Sequence, residues 1–343
     1  MAKTFTLEDL ADLARAPVDR VAAWEAQGHF APLDEPGDDG RPRYGFDEAS
    51  LAVELGGRGY RRRICVVNQK GGVGKTTTAF TLAAALADLG RRVLAVDLDP
   101  QANLTTSFGF DPDALDLTSA DLITEESVEA EDVILETALE GVHAIPADIK
   151  LCAVETRIQD ALMRERILQG KLEALFDRYH YVIYDCPPNL SRITINALMA
   201  SDEVVVPVET QSYSIKAISD LTNTFTLLKK KLGHELRVWL VPTKVDRRMR
   251  LARDILDALD EAFPGRLLDP IHVDSNLVRA PILCEPVTRA YPASRSALEY
   301  MRMARFFTLA DEDRAKWMKL TLSQRREVLE RPAGDDAAMH AAS

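Results

Sequence analysis

The chain has 343 residues, of which 46% are hydrophobic, and carries a formal net charge of −12. That length accommodates one large domain and a small one, while the lack of any unbroken apolar run near the ~18 residues of a crossing helix excludes a membrane-spanning bundle. The acidic balance excludes a protein that coats nucleic acid through bulk charge, so contact with DNA must come from a local basic patch.

Residues 1–60 read as a separate, all-helical module. Thr6 is placed to cap a helix starting at Leu7, with Asp9 complementing its N-terminus, and Leu7, Leu10, Ala11 and Ala14 share one face. Ala16-Pro17 breaks this helix, and a second runs from Val18 to Gln27 with Val21 and Trp24 on one side, closing at Gly28. A loop rich in Pro, Gly and Asp follows from 32 to 42, then a third helix over 47–55, and the run Gly56-Gly57-Arg58-Gly59 reads as a linker. Helix, turn, helix ending in Trp-Glu-x-x-Gly, loop and Arg-x-Tyr resemble the MerR-like helix-turn-helix modules that precede the ATPase domain of some partition proteins. The module holds six Lys/Arg against twelve Asp/Glu. Two readings therefore stand: sequence-specific DNA binding, or a three-helix unit that binds protein or packs on the rest of the chain.

From Arg61 strand-like and helix-like segments alternate. Strands are expected at 64–68, 92–97, 142–146, 181–185, 203–208 and 237–241, with crossover helices at 76–89, 151–177, 214–231 and 248–262. That alternation predicts a doubly wound α/β domain over 61–310, its mainly parallel sheet covered on both faces and its ligands bound beyond the carboxyl ends of the strands. The remaining 311–343 reads as a polar tail with a disordered end.

The strand at 64–68 runs into Gln69-Lys70-Gly71-Gly72-Val73-Gly74-Lys75-Thr76-Thr77-Thr78, a glycine loop leading into a helix. Such a loop turns backbone N–H groups onto a phosphate, Lys75 reaches the β- and γ-phosphates, and Thr76 offers its hydroxyl to Mg²⁺. The usual P-loop spacing requires a glycine where Gln69 stands, and a second lysine, Lys70, sits beside the glycine pair instead. This loop resembles the deviant Walker A motif of the ParA/MinD family of ATPases.

The resemblance continues along the chain. Asp97-Leu98-Asp99-Pro100-Gln101-Ala102-Asn103 is similar to the family's D-x-D-P-Q-G-N motif, with Ala102 in place of glycine. It implies that Asp99 positions the attacking water and contributes to the metal site while Asp97 supports it. Tyr181 to Asp185 followed by Cys186-Pro187-Pro188 resembles the Walker B strand, so that Asp185 would hold Mg²⁺. The segment 208–214 loosely resembles the stretch leading into the helix at the dimer face, and no chemistry is assigned to it. In Thr243-Lys244-Val245-Asp246 a T-K-x-D pattern coincides with the form by which GTPases read guanine, yet it lies where the family contacts adenine, making Thr243 a base contact and ATP the expected nucleotide. Lys244, Arg247, Arg248, Arg250 and Arg253 cluster where the family binds DNA without reading its sequence, and Lys229-Lys230-Lys231 is available to extend that patch. Late matches, Asp269 to Pro281 and Tyr291 to Ala297, extend the resemblance over 62–308.

Taken together, the resemblance implies an ATPase that uses ATP and Mg²⁺ and dimerises in its ATP state. Nucleotide would bind through Gly71, Gly72, Val73, Gly74, Lys75, Thr76, Thr77 and Thr243, with Lys70 reaching into the partner's site. It further implies non-specific DNA binding and stimulation by a ParB-like protein during chromosome or plasmid segregation. Positioning of another cellular cargo, or ATP-controlled autorepression through the N-terminal module, are the alternatives. Met1 to Phe5 lead into no apolar signal core, the four cysteines (Cys65, Cys152, Cys186, Cys284) have no metal or disulfide spacing, and no basic amphipathic helix closes the chain. A cytoplasmic, nucleoid-associated protein without membrane attachment is expected.

Overall fold

The structure, a computed structural model, describes residues 3–57, 59–210, 214–246, 248–320 and 325. Seven strands form one sheet: β1 (Arg62–Val66), β2 (Val93–Asp97), β3 (Leu135–Glu136), β4 (Val142–Ile145), β5 (Tyr181–Asp185), β6 (Glu203–Glu209) and β7 (Arg237–Thr243). Their order across the sheet is β3-β4-β2-β5-β1-β6-β7, parallel throughout except for the antiparallel edge strand β3. The period-two alternation of the strands divides the interior. Cys65, Val96, Val182 and Val206 face one core; Ile64, Ala95, Ile183 and Val205 face the other. This is the doubly wound α/β arrangement expected from the alternating segments.

The second core is built around one helix. After α1 (Leu7–Ala14), α2 (Val18–Ala26) and α3 (Phe46–Leu55), helix α4 (Lys75–Ala87) follows the glycine loop and is buried on nearly every side, from Thr78 to Ala87 without a break. Its small residues let the chain pack closely against the sheet, and Thr78 meets the Tyr300 hydroxyl at 3.1 Å. A helix buried all round is a rigid support for the loop that precedes it.

The crossover helix expected over 151–177 is broken. Leu151–Arg157 and Ile167–Leu172 are helical and Glu173–Leu175 forms a 3₁₀ turn, while Met163 between them takes a left-handed φ of 52°. The apolar stripe Leu151, Val154, Ile158 has no successor at 165 or 166, where Glu165 and Arg166 stand, so a continuous helix would turn charge into the core. Asn196 stabilises the gap: its amide donates to the Arg164 carbonyl at 2.7 Å and its Oδ1 accepts from Leu168 N at 3.2 Å.

The N-terminal helices share a small core of their own and are docked on the rest of the chain. Thr6 and Asp9 form a reciprocal capping box at α1, and Phe5 pairs with Tyr44. Phe46 enters the α4 core, and the Lys3 ammonium donates to the Asp88 carbonyl at the end of α4 at 2.8 Å. Within the glycine run read as a linker, a Cβ on Gly56 would stand 2.4 Å from the Ala14 carbonyl oxygen, whereas one on Gly57 would meet nothing within 4 Å. Arg58 in that run lies outside the described residues.

The chain past 310 begins with a packed helix, Asp311–Trp317. Trp317 is buried, and buried Arg314 stacks 4.8 Å from the Trp239 ring while pairing with Glu203 at the base of β6. Of the expected tail, 311–343, residues 321–324 and 326–343 lie outside the described residues.

Candidate active site

β1 ends at Val66, and the loop between it and α4 is fixed by Asn68, whose amide donates to Pro207 O at 2.7 Å while its Oδ1 accepts from Lys70 N at 3.0 Å. Gly72 and Gly74 turn the chain through left-handed φ values of 72° and 95°, which L side chains adopt only with strain. A Cβ placed on Gly71, Gly72 or Gly74 would meet nothing within 4 Å, so the concave side of the loop is open. Gly74 caps α4, whose first residue, Lys75, is 7% exposed although cationic. The unpaired N–H groups and positive end of α4 face that opening, which favours an anion there.

The acids converge from neighbouring strands. Asp97 and Asp185 are register partners across β2 and β5, both at the carboxyl edge of the sheet and both buried. Neither carboxylate oxygen of Asp185 completes a hydrogen bond. Burial drives its carboxyl well above the ordinary value and Asp97 pushes the same way, while the Thr76 hydroxyl and Lys75 ammonium oppose them. An orphaned, fully buried carboxylate beside a threonine hydroxyl and a lysine is costly in isolation and fits a divalent cation bound with phosphate. The donor set, Asp185 and the Thr76 hydroxyl, is hard oxygen, as Mg²⁺ requires.

Asp97 is held from three directions. Its Oδ2 accepts from Thr105 N at 2.9 Å and Thr105 Oγ1 at 2.7 Å, and its Oδ1 accepts from Asp99 N at 3.1 Å. Burial raises its carboxyl to about 6, against the pull of those donors. Thr105, in α5 (Asn103–Ser107), also accepts from Ala147 N at 2.8 Å, tying the acidic motif to the loop after β4. Sequence reasoning missed it; the only signal was a threonine in the first helical turn after the D-x-D motif. Asp99 itself is 7% exposed and accepts from Gln101 N at 3.0 Å. Ala102, which replaces the family's glycine, takes the left-handed φ of 51° that glycine would adopt freely.

The remaining residues separate into two groups. Thr243, at the end of β7, is buried and donates its hydroxyl to Val73 O at 2.8 Å, which leaves the oxygen's lone pairs as the part a base amino group could reach. Lys244 follows in a left-handed conformation and places its ammonium 2.6 Å from Gly72 O of the phosphate loop. Asp246 of the T-K-x-D sequence is engaged by Arg248 at 2.7 Å, which lowers its carboxyl to about 2. Lys70 is exposed, and its ammonium lies 2.6 Å from Glu209 Oε2.

Arg248, Arg250 and Arg253 are exposed at the start of the helix Arg250–Ala262, whereas Arg247 lies outside the described residues. Two arginines in the first turn oppose the helix dipole, a local cost that a bound anion would offset. Lys229 lines a groove with Phe263 and Arg266, at the other end of that helix, which is ~20 Å long. The lysine triplet therefore does not extend the arginine patch.

A family model described as an AAA domain matches residues 61–238. The sporulation initiation inhibitor protein Soj of Bacillus subtilis is 37% identical over 244 residues, 71% of this chain and 96% of that protein. The chromosome partitioning protein ParA of Myxococcus xanthus is 33% identical, covering 75% of this chain and 92% of its own. Among solved structures, cobyrinic acid a,c-diamide synthase from Mycobacterium smegmatis with an ATP analogue and magnesium superposes with a TM-score of 0.65 at 32% identity, covering 72% of this chain and 94% of that one. The family match begins at Arg61, after the N-terminal helices.

Proposed function

The chain belongs to the ParA/MinD type of P-loop ATPases, and on that premise we propose that it is an ATP-dependent dimerising ATPase that binds DNA without sequence preference and segregates a chromosome or plasmid with a ParB-like partner. The observation that carries the reading is the phosphate loop with lysines at both ends. Lys75 is buried behind it, and Lys70 stands exposed at its other end, paired with Glu209.

Each residue has a distinct task. Gly71 to Thr77 receive the phosphates of ATP through their backbone N–H groups, and Lys75 neutralises the β- and γ-phosphates. Asp185 and Thr76, with Asp99 on the water side, would hold Mg²⁺, whose charge would offset that of the phosphates. Asp99 orients the attacking water, and Asp97, fixed by Thr105, keeps Asp99 in register. Lys70 would reach a second subunit's phosphates and stabilise the charge that develops as the terminal phosphoryl leaves. Thr243 contacts the base from the loop's far side.

Arg248, Arg250 and Arg253, with Arg247 beside them, would hold the DNA backbone in the ATP-bound dimer and release it after hydrolysis. The N-terminal helices add a surface that lies outside the family match, which begins at Arg61. The protein would act in the cytoplasm, on the nucleoid. The test is binding to random-sequence DNA with ATP, with ADP and without nucleotide, at two salt concentrations. Binding that needs ATP and weakens steeply with salt supports the reading; equal binding in all three states contradicts the switch.

A further inference from the structure

The trans role of Lys70 requires that its side chain leave its own subunit, yet the structure shows it held there. Glu209 is the last residue of β6 and pairs in register with Thr243 of β7, so its carboxylate emerges between the phosphate loop and the β7 exit. One oxygen meets the Lys70 ammonium at 2.6 Å, and the other lies 3.8 Å from the ammonium of Lys244. The Lys70 backbone is fixed beside it by Asn68, which also holds Pro207 of the same strand. Glu209 is 16% exposed at its side chain and Lys70 43%, so the pair is open to solvent on one side only.

We infer that Glu209 is the positioning residue that keeps Lys70 inside its own subunit, and that ATP-driven dimerisation proceeds by exchanging this carboxylate for the partner's phosphates. The inference rests on the trans reading of Lys70 given above.

Lys244 makes the exchange inexpensive. When Lys70 departs, Glu209 keeps a second cation close by, so the carboxylate is not stranded beside the site. The phosphates gain one lysine from each partner while each subunit retains a neutral Glu209–Lys244 pair. Opposite-sign charges in reach of one another in both states give the loop two arrangements of similar energy, as a switch needs.

The experiment measures the dimer dissociation constant by analytical ultracentrifugation with a non-hydrolysable ATP analogue. A half-exposed ion pair holds its members by roughly two- to fivefold, and a dimer opens two of them, so Glu209→Gln should tighten dimerisation about four- to twenty-five-fold. Glu209→Asp, which keeps the charge, should return the constant to within about twofold of wild type. In a Lys70→Ala background Glu209→Gln should change nothing. An unchanged or weaker dimer in Glu209→Gln, or equal tightening with and without Lys70, overturns the inference. Should Glu209→Gln fail to fold, Glu209→Asp decides: a dimer markedly weaker than wild type contradicts a role exercised through charge. Lys70→Ala alone separates the two levels, since wild-type dimerisation there sinks the trans reading itself.

Discussion

Asp185 shows how function is paid for in local stability. Its two oxygens are buried without partners, and its raised carboxyl binds a proton more tightly in the folded chain than in the unfolded one. The sign follows: this group favours the fold at pH below the ordinary carboxylate value, and its penalty grows as pH rises through and beyond that value. Asp185→Asn removes the charge while keeping the shape. It should stabilise the nucleotide-free protein at neutral pH by about 1–3 kcal/mol and flatten the decline of stability above about pH 4. The same variant should lose the extra thermal stability that Mg²⁺ and ATP confer on wild type, since the ligand then binds without its metal carboxylate. Denaturant titrations at several pH values, with and without nucleotide, check both halves. Equal stability of the two proteins across that range would mean that the carboxylate is satisfied in solution.

At the scale of elements, the parts that sequence periodicity reached were those whose environment is uniform. β5 lies at 181–185 as expected because Tyr181 to Asp185 is apolar on both faces and ends in an acid. The phosphate loop was legible because glycine, lysine and threonine each have one local reason to be there. The helix over 151–177 was not, although Glu165 and Arg166 interrupt its apolar stripe, because the partner that holds the gap comes from elsewhere in the chain: Asn196, on the helix Arg192–Met199, bonds Arg164 O and Leu168 N. The roles of Thr105 and Glu209 were invisible for the same reason, since each depends on which strand lies beside which. Asn196→Leu leaves Arg164 O and Leu168 N without their partner and should destabilise the protein by about 1–3 kcal/mol, read as a shifted denaturant midpoint with unchanged slope. A loss below about 0.5 kcal/mol would show that water replaces the asparagine at no cost.

In the whole molecule, the sheet, α4 and the N-terminal helices form one continuous support for the nucleotide site. α4 carries the phosphate loop at its start, and its far end is bonded by Lys3 and by Arg289 through Asp88. The acids arrive from β2 and β5 and the loop from β1, three strands adjacent in the sheet, so their spacing is fixed by the ladder rather than by flexible connections. Lys70 lies at the solvent edge of this frame, tied to it by Asn68 and Glu209, and its assignment to a neighbouring subunit is the centre of the account. Mixing two inactive variants tests it most directly. A Lys70→Ala subunit keeps its own Asp99 but depends on its partner for the lysine, whereas an Asp99→Ala subunit still donates Lys70. Steady-state ATP hydrolysis of the equimolar mixture should rise well above the sum of the two variants measured alone, because each mixed dimer contains one complete site. A mixture no more active than that sum would place Lys70 in its own subunit's site and contradict the account.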